Sequence, residues 1–238
     1  VSRAERFAVP RAPSLRAAAR GAAVDFYFNS WRLVPANALW GGLLLLSILV
    51  GVNTIAAIPV LMVALAVPTV AVYRLAALIV REDPVAFSDA LQAYRGHLRP
   101  ALVVGLVGTA GSTILLINVV TGFVTLGGPL GWAIGTAAFW GLVILWAWVL
   151  CLWPLITDPR REGIAVARHM RLAGLLVLAF PLRVGALGLV TGLVVVVSTV
   201  LFAVLVTIAL GYCALLGCRY VLPAADRLEG RATARLAE

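Results

Sequence analysis

Two histidines, three cysteines and ten carboxylates are the groups with which this 238-residue chain could do acid–base, metal or redox chemistry. The histidines sit in similar settings, Arg95-Gly96-His97-Leu98-Arg99 and Arg168-His169-Met170-Arg171. Two imidazoles could share a proton or a metal ion, but a metal ordinarily takes three or four ligands. They are therefore read as interfacial side chains near lipid phosphates. Cys151, Cys213 and Cys218 all fall in apolar stretches and form no Cys-x-x-Cys pair. That is the pattern of small packing residues, not of a disulfide framework. The chain has no HExxH, no GxSxG and no phosphate loop ending in Gly-Lys-Ser/Thr. These residues point to no enzyme, no metal and no cofactor.

The elements that carry these residues follow from composition. Apolar residues make up 63% of the chain, charged residues 12%, and the mean hydropathy is +1.04. An average soluble domain has about twice that charged share. A soluble globule could not cover so much apolar surface, and disorder is excluded by the same numbers. An outer-membrane barrel needs alternating strands, whereas this chain has long unbroken apolar blocks. No acid or base occurs from Leu33 to Tyr73, from Pro100 to Thr157, or from Val184 to Cys218. One helical crossing takes about 20 residues, so the blocks predict an all-α bundle of six membrane spans in three hairpins.

Turn residues place the spans near Pro35–Val52, Ile58–Val80, Ala101–Val120, Pro129–Ile156, Val184–Thr199 and Leu201–Val221. The chain then divides into an interfacial segment 1–36, a six-span domain 37–222 and a tail 223–238. Every basic residue is Arg, and all fall before span one, between two and three, between four and five, or after six. Arg is favoured in cytoplasmic loops, so both termini are expected in the cytoplasm. The net charge of +9 is then the positive-inside pattern, suited to anionic lipid headgroups and not to nucleic acid. The use of Arg alone, among abundant Ala, Gly, Val and Leu, suggests a GC-rich bacterial source. All ten carboxylates fall outside the spans, which disfavours classical proton- or sodium-coupled transport.

Three amphipathic segments are expected at the cytoplasmic interface. Ser14 can cap the first. Asp83 with Pro84 can start the second, where Phe87, Leu91, Tyr94 and Leu98 share one helix face. Asp158 with Pro159 can start the third, with Glu162 at its positive end. Trp132 and Trp153 fit opposite interface belts, and the tryptophans between them fit helix packing. Candidate polar or partner contacts are few. Arg74 and Arg183 abut apolar runs, where snorkelling to the headgroups competes with a contact between helices. Asn53 and Asn118 suit turns or interhelical hydrogen bonds. Phe87, Tyr94 and Met170 could form an apolar stripe that docks a partner.

A resemblance runs through Asn37-Ala38-Leu39-Trp40, Ile58-Pro59, Pro68-Thr69-Val70-Ala71-Val72-Tyr73-Arg74, and Arg81-Glu82-Asp83-Pro84 with Phe87. On these residues the chain resembles the YesL-like family of bacterial integral membrane proteins, best over residues 25–125. Where that family usually has Thr-x-Gly-Pro, this chain reads Pro59-Val60-Leu61-Met62. Such families commonly accompany ABC-type carbohydrate uptake systems. The resemblance thus implies a non-enzymatic accessory or regulatory role, with an ABC permease subunit as partner. It brings no catalytic residues. The alternative is a small carrier or channel for a neutral or hydrophobic solute.

Overall fold

The structure, a computed structural model, describes residues 13–54 and 57–236. Among them the helices run α1 (Leu15–Asn53), α2 (Ile58–Val80), α3 (Phe87–Gly96), α4 (Leu98–Val120), α5 (Gly128–Thr157), α6 (Val166–Ala179), α7 (Pro181–Val200), α8 (Phe202–Val204) and α9 (Leu210–Leu236). A π-helical turn, Thr121–Leu126, extends α4, and another, Leu205–Ala209, joins α8 to α9. No strand occurs among the described residues. Six helical stretches are long and apolar enough to cross a membrane: Leu15–Gly51, Ile58–Val80, Leu98–Leu126, Gly128–Thr157, Pro181–Val200 and Phe202–Gly230. The chain is an all-α, multi-pass membrane bundle.

Consecutive spans are antiparallel. Gly111 faces Leu145 and Gly141 faces Leu115 across the α4–α5 pair. Likewise Gly21 meets Arg219 of α9 and Gly41 meets Val206 of the π-turn before it, across α1 and the last span. This up-and-down order brings the described arginines to one end of the bundle, called here the Arg-bearing end. The core lies in that half. Leu75, Leu152, Leu155, Leu215, Leu216 and Leu222 are all fully buried there, on α2, α5 and α9. By contrast α4 and α7 turn most of their leucines and valines outward, which suits a surface solvated by acyl chains instead of water.

Helix α1 is one uninterrupted helix of 39 residues. Ser14 does cap it, accepting from Ala17 N at 3.3 Å. The helix runs on through residue 36, with Pro35 inside it. At the other end α9 runs through Pro223 with no break at 222. The second amphipathic helix starts at Phe87, not at Pro84, and Asp83 does not cap it. Asp89 does that work, accepting from Ala86 N at 2.7 Å. Ala90 and Ala93 form its buried face, while Leu91 and Leu98 are exposed. Asp158 caps only a single 3-10 turn, Pro159–Arg161, accepting from Arg160 N at 3.2 Å; the third amphipathic helix begins later, at Val166. Trp153 is not at an interface belt: it is buried and stacks on Tyr73, centroids 5.9 Å apart. Of the tryptophans expected in helix packing, Trp146 lies against Gly188 of α7, while Trp140 is exposed at 57%.

The hairpin between spans five and six turns on Leu201 alone. Just after it, the π-turn shifts the backbone ladder and frees peptide groups inside the bundle. Asn37, fully buried on α1, satisfies them: its amide donates to Val206 O at 2.6 Å, and its Oδ1 accepts from Gly211 N at 2.8 Å. One turn along, Gly41 lets the helices touch, since a Cβ there would lie 2.7 Å from Val206 Cα. An orphaned buried backbone group costs about 1–3 kcal/mol. Asn37→Leu should accordingly lower the melting temperature of the purified protein by several degrees. An unchanged melting temperature would show that the π-turn does not depend on this amide.

Candidate functional site

At the Arg-bearing end, five charged side chains from three distant stretches of chain meet. Asp158, at the end of α5, has no exposed surface. Arg81, just past α2, grips it with two hydrogen bonds, Nε to Oδ1 at 3.0 Å and Nη2 to Oδ2 at 2.6 Å. The same guanidinium donates to both oxygens of Asp226 on α9, at 2.8 and 3.2 Å. Arg161 pairs with Asp158 from the other side and reaches Asp226 at 2.6 Å and Glu229 at 2.7 Å. Burial alone would lower both guanidinium pKa values; the hydrogen bonds that Arg81 donates to Asp226 and Asp158, and Arg161 to Asp226 and Glu229, more than offset it and raise them. Both stay charged at any pH the protein meets.

Next to this knot opens a cavity of about 590 Å³. Arg74, Arg161, His97, His169, Gln92 and Asp89 contribute its polar wall; Leu78, Pro100, Ile156 and Val166 contribute its apolar wall. Arg74 pairs with Glu162 and donates to Thr157 O at 3.1 Å. The two histidines, more than seventy positions apart in the sequence, face one cavity. His169 is 4% exposed, and neither of its ring nitrogens has a partner; nor does His97 Nδ1 or Arg161 Nε. Among the described residues no cluster of His, Cys, Asp and Glu could hold a metal ion. Burial and then Arg74 push His97 below the usual histidine range, against a smaller pull from Glu162. Burial, Arg161 and Arg168 do the same for His169, against Glu229 and Asp158.

A second hollow, about 600 Å³, opens sideways between α1, α2, α4 and α5. Trp40, Trp146 and Trp153 line it with Thr69, Thr109 and Ser112, over a floor where Gly105 brings α4 against Ala66 of α2. It runs along α4 from Val104 to Leu116, about 18 Å at 1.5 Å per residue. The two hollows share three helices and lie about one turn apart, at Thr69 and Arg74, Val104 and Pro100, Trp153 and Ile156. Trp153, which lines the groove, stacks on the buried Tyr73, the neighbour of Arg74 in the chain.

Of the residues expected to make polar or partner contacts, Arg74 belongs to the first cavity. Arg183 binds between helices, donating to Pro13 O at 2.8 Å and lying 4.1 Å over the Tyr220 ring. Both therefore make interhelical contacts. Asn118 donates to Ile114 O of its own helix at 2.9 Å. Tyr94 and Met170 are half-buried against the core, and Trp148 Nε1 donates to Met170 O at 3.0 Å. The side chains of Asn53 and Phe87, and Arg3, Arg6 and Arg11, lie outside the described residues. Sequence reasoning missed Asn37 and the Asp158–Asp226 convergence. The repeated Arg-flanked histidine was its one pointer to the cavity. No protein-family model, curated protein or solved structure matches this chain.

The histidines carry a pH signature. A histidine held below its ordinary value of 6.5 binds fewer protons in the folded state than in the unfolded one. Stability then rises with pH through the window below 6.5 and falls as the medium is acidified. Melting temperatures between pH 7.5 and 5 should drop for the wild type and drop less for the double variant His97→Gln, His169→Gln. Identical slopes would show that the two rings remain solvated.

Proposed function

We propose that this chain is a non-enzymatic accessory or regulatory component of an ABC-type carbohydrate uptake system in a bacterial cell membrane, with both termini in the cytoplasm. The positive-inside pattern supports the orientation. The resemblance to the YesL-like family supports the setting. The observation that carries the reading is the lateral groove on α2, α4 and α5. Its small-residue floor at Gly105 and Gly108, and its hydroxyls at Thr109 and Ser112, are what transmembrane helices use to pack and hydrogen-bond across an interface. Its length along α4, about 18 Å, is more than half of a bilayer core about 30 Å thick. The occupant proposed is one transmembrane helix of the permease.

This moves the expected contact from the amphipathic segments into the bilayer. Tyr94 and Met170 turn toward the core, so they offer a partner little. The Tyr73–Trp153 stack is buried, and the ionic knot ties α2, the turn after α5 and α9 together at the Arg-bearing end. Such closure suits a docking subunit better than an open conduit. One observation favours the alternative, a small carrier or channel for a neutral or hydrophobic solute: the two hollows are lined by the same three helices, about one turn apart.

Photo-crosslinking residues placed at Ser112 and Leu116 in native membranes should capture a permease subunit identifiable by mass spectrometry. The same residue at exposed Leu91 on α3 should not. Capture of lipid alone at Ser112 and Leu116 would contradict the docking reading. Purified protein in liposomes should release no trapped neutral sugar. Release of trapped sugar that quickens in Trp153→Ala would establish the carrier instead.

A further inference from the structure

The cavity beside the ionic knot is not used by the docking reading, and its chemistry is specific. Two helices begin at its wall, α4 at His97 and Pro100 and α6 at Val166. Neither start has a side-chain cap, and neither has an acidic residue in its first turn. Helix starts present unpaired N–H groups and about half a positive charge. Arg74 and Arg161 add two guanidinium groups at the same wall. Both carboxylates that line the cavity already have a partner. Asp89 accepts from Ala86 N at the start of α3, and Glu162 pairs with Arg74.

The second observation is independent of the helix starts. His169 and Arg161, 4% and 5% exposed, line this cavity with both imidazole nitrogens and the guanidinium Nε lacking any partner. His97 Nδ1 is in the same condition. Buried polar atoms left unpaired are costly, and these four belong to three residues that line one hollow. Donors dominate the set: Arg161 Nε–H, one N–H from each imidazole, the guanidinium of Arg74 and the Gln92 amide.

We propose that this cavity binds a phosphate-type oxyanion. Arg74 and the Arg161 Nε–H take its oxygens, His97 and His169 close on it, and the starts of α4 and α6 face it. Glu162, more than half exposed and followed by Gly163 at φ +78°, occupies Arg74 as an internal carboxylate that the incoming anion displaces. A volume of about 590 Å³ exceeds that of a bare phosphate, so the anion comes attached to a small organic group. A soluble phosphate monoester and an anionic lipid headgroup share this chemistry. Bound anion also stabilises the imidazolium forms, so binding strengthens as the histidines gain protons.

The test uses the full chain in phosphatidylcholine nanodiscs, with inorganic phosphate as the probe and chloride at equal ionic strength as the control. Phosphate should raise the melting temperature saturably, and chloride should not. Arg74→Gln removes a charge-assisted hydrogen bond, for which a loss of affinity of about tenfold or more is expected. Because Arg74 also joins α2 to the segment after α5, His97→Gln serves as a second variant and should weaken phosphate severalfold without altering the fold. Glu162→Gln, which removes the competing carboxylate, should tighten it. Nanodiscs containing phosphatidic acid separate the sources. If the lipid headgroup fills the site, the phosphate response disappears there and returns in phosphatidylcholine alone; if the ligand is soluble, the response is equal in both. A phosphate effect that matches chloride, or one unchanged in Arg74→Gln, His97→Gln and Glu162→Gln, would overturn the proposal.

Discussion

A carboxylate with no exposed surface cannot stand alone in an apolar bundle. Asp158 is that carboxylate, and the Arg-bearing half of the protein is arranged around holding it. It needs Arg81 from the end of α2 and Arg161 from the turn that follows it. Those guanidinium groups in turn need Asp226 and Glu229 from α9. Three segments far apart in the chain are thereby fixed together where the bundle would otherwise splay. Replacing such a knot by apolar residues would cost little, but removing one member strands a buried charge. The knot thus specifies which helix ends meet, more than it adds net stability.

The neighbouring features follow from this closure. Arg161 belongs to the knot through its Nη atoms and lines the cavity, where its Nε is left over. Glu162, the next residue, reaches Arg74 on α2 from the same turn. The core of α2, α5 and α9 packs tightly beneath the knot, while α4 and α7 remain at the edge with most of their side chains facing acyl chains. Deeper in the bundle, where no charges are available, the helices use amides and glycines instead: Asn37 bridges to the π-turn, and Gly41 gives the backbones room to approach.

The legible part of this architecture is the part written in local composition. Charge-free blocks mark the spans, and the placement of Arg marks one end of the bundle, because both depend only on the cost of moving side chains into hydrocarbon. Ser14 was readable as a cap because its partner lies three residues away. Asp83 was misleading, since an Asp-Pro pair signals a helix start as well as a turn, and here Asp89 competes with it successfully. The knot was not legible: Asp158 and Asp226 read as ordinary interfacial acids until tertiary structure brings Arg81 between them. Asn37 was invisible for a related reason. Its role exists only because a π-turn frees backbone groups on another helix, and no pattern in the α1 sequence announces that. The matched settings of His97 and His169 hinted at a relation between the segments, but their convergence on one cavity is a property of the fold.

The most direct measurement of this account is a double-mutant cycle on the knot, using Arg81→Gln, Asp158→Asn and the pair together, read as unfolding free energy in detergent. Each single change should cost about 3–5 kcal/mol, the cost of breaking one partner from a buried ion pair. The double variant should cost no more than the worse single one, which is a coupling of at least about 3 kcal/mol, the upper end for residues in contact. Single changes near zero, or effects that simply add, would contradict the claim that the buried Asp158 carboxylate organises this end of the bundle.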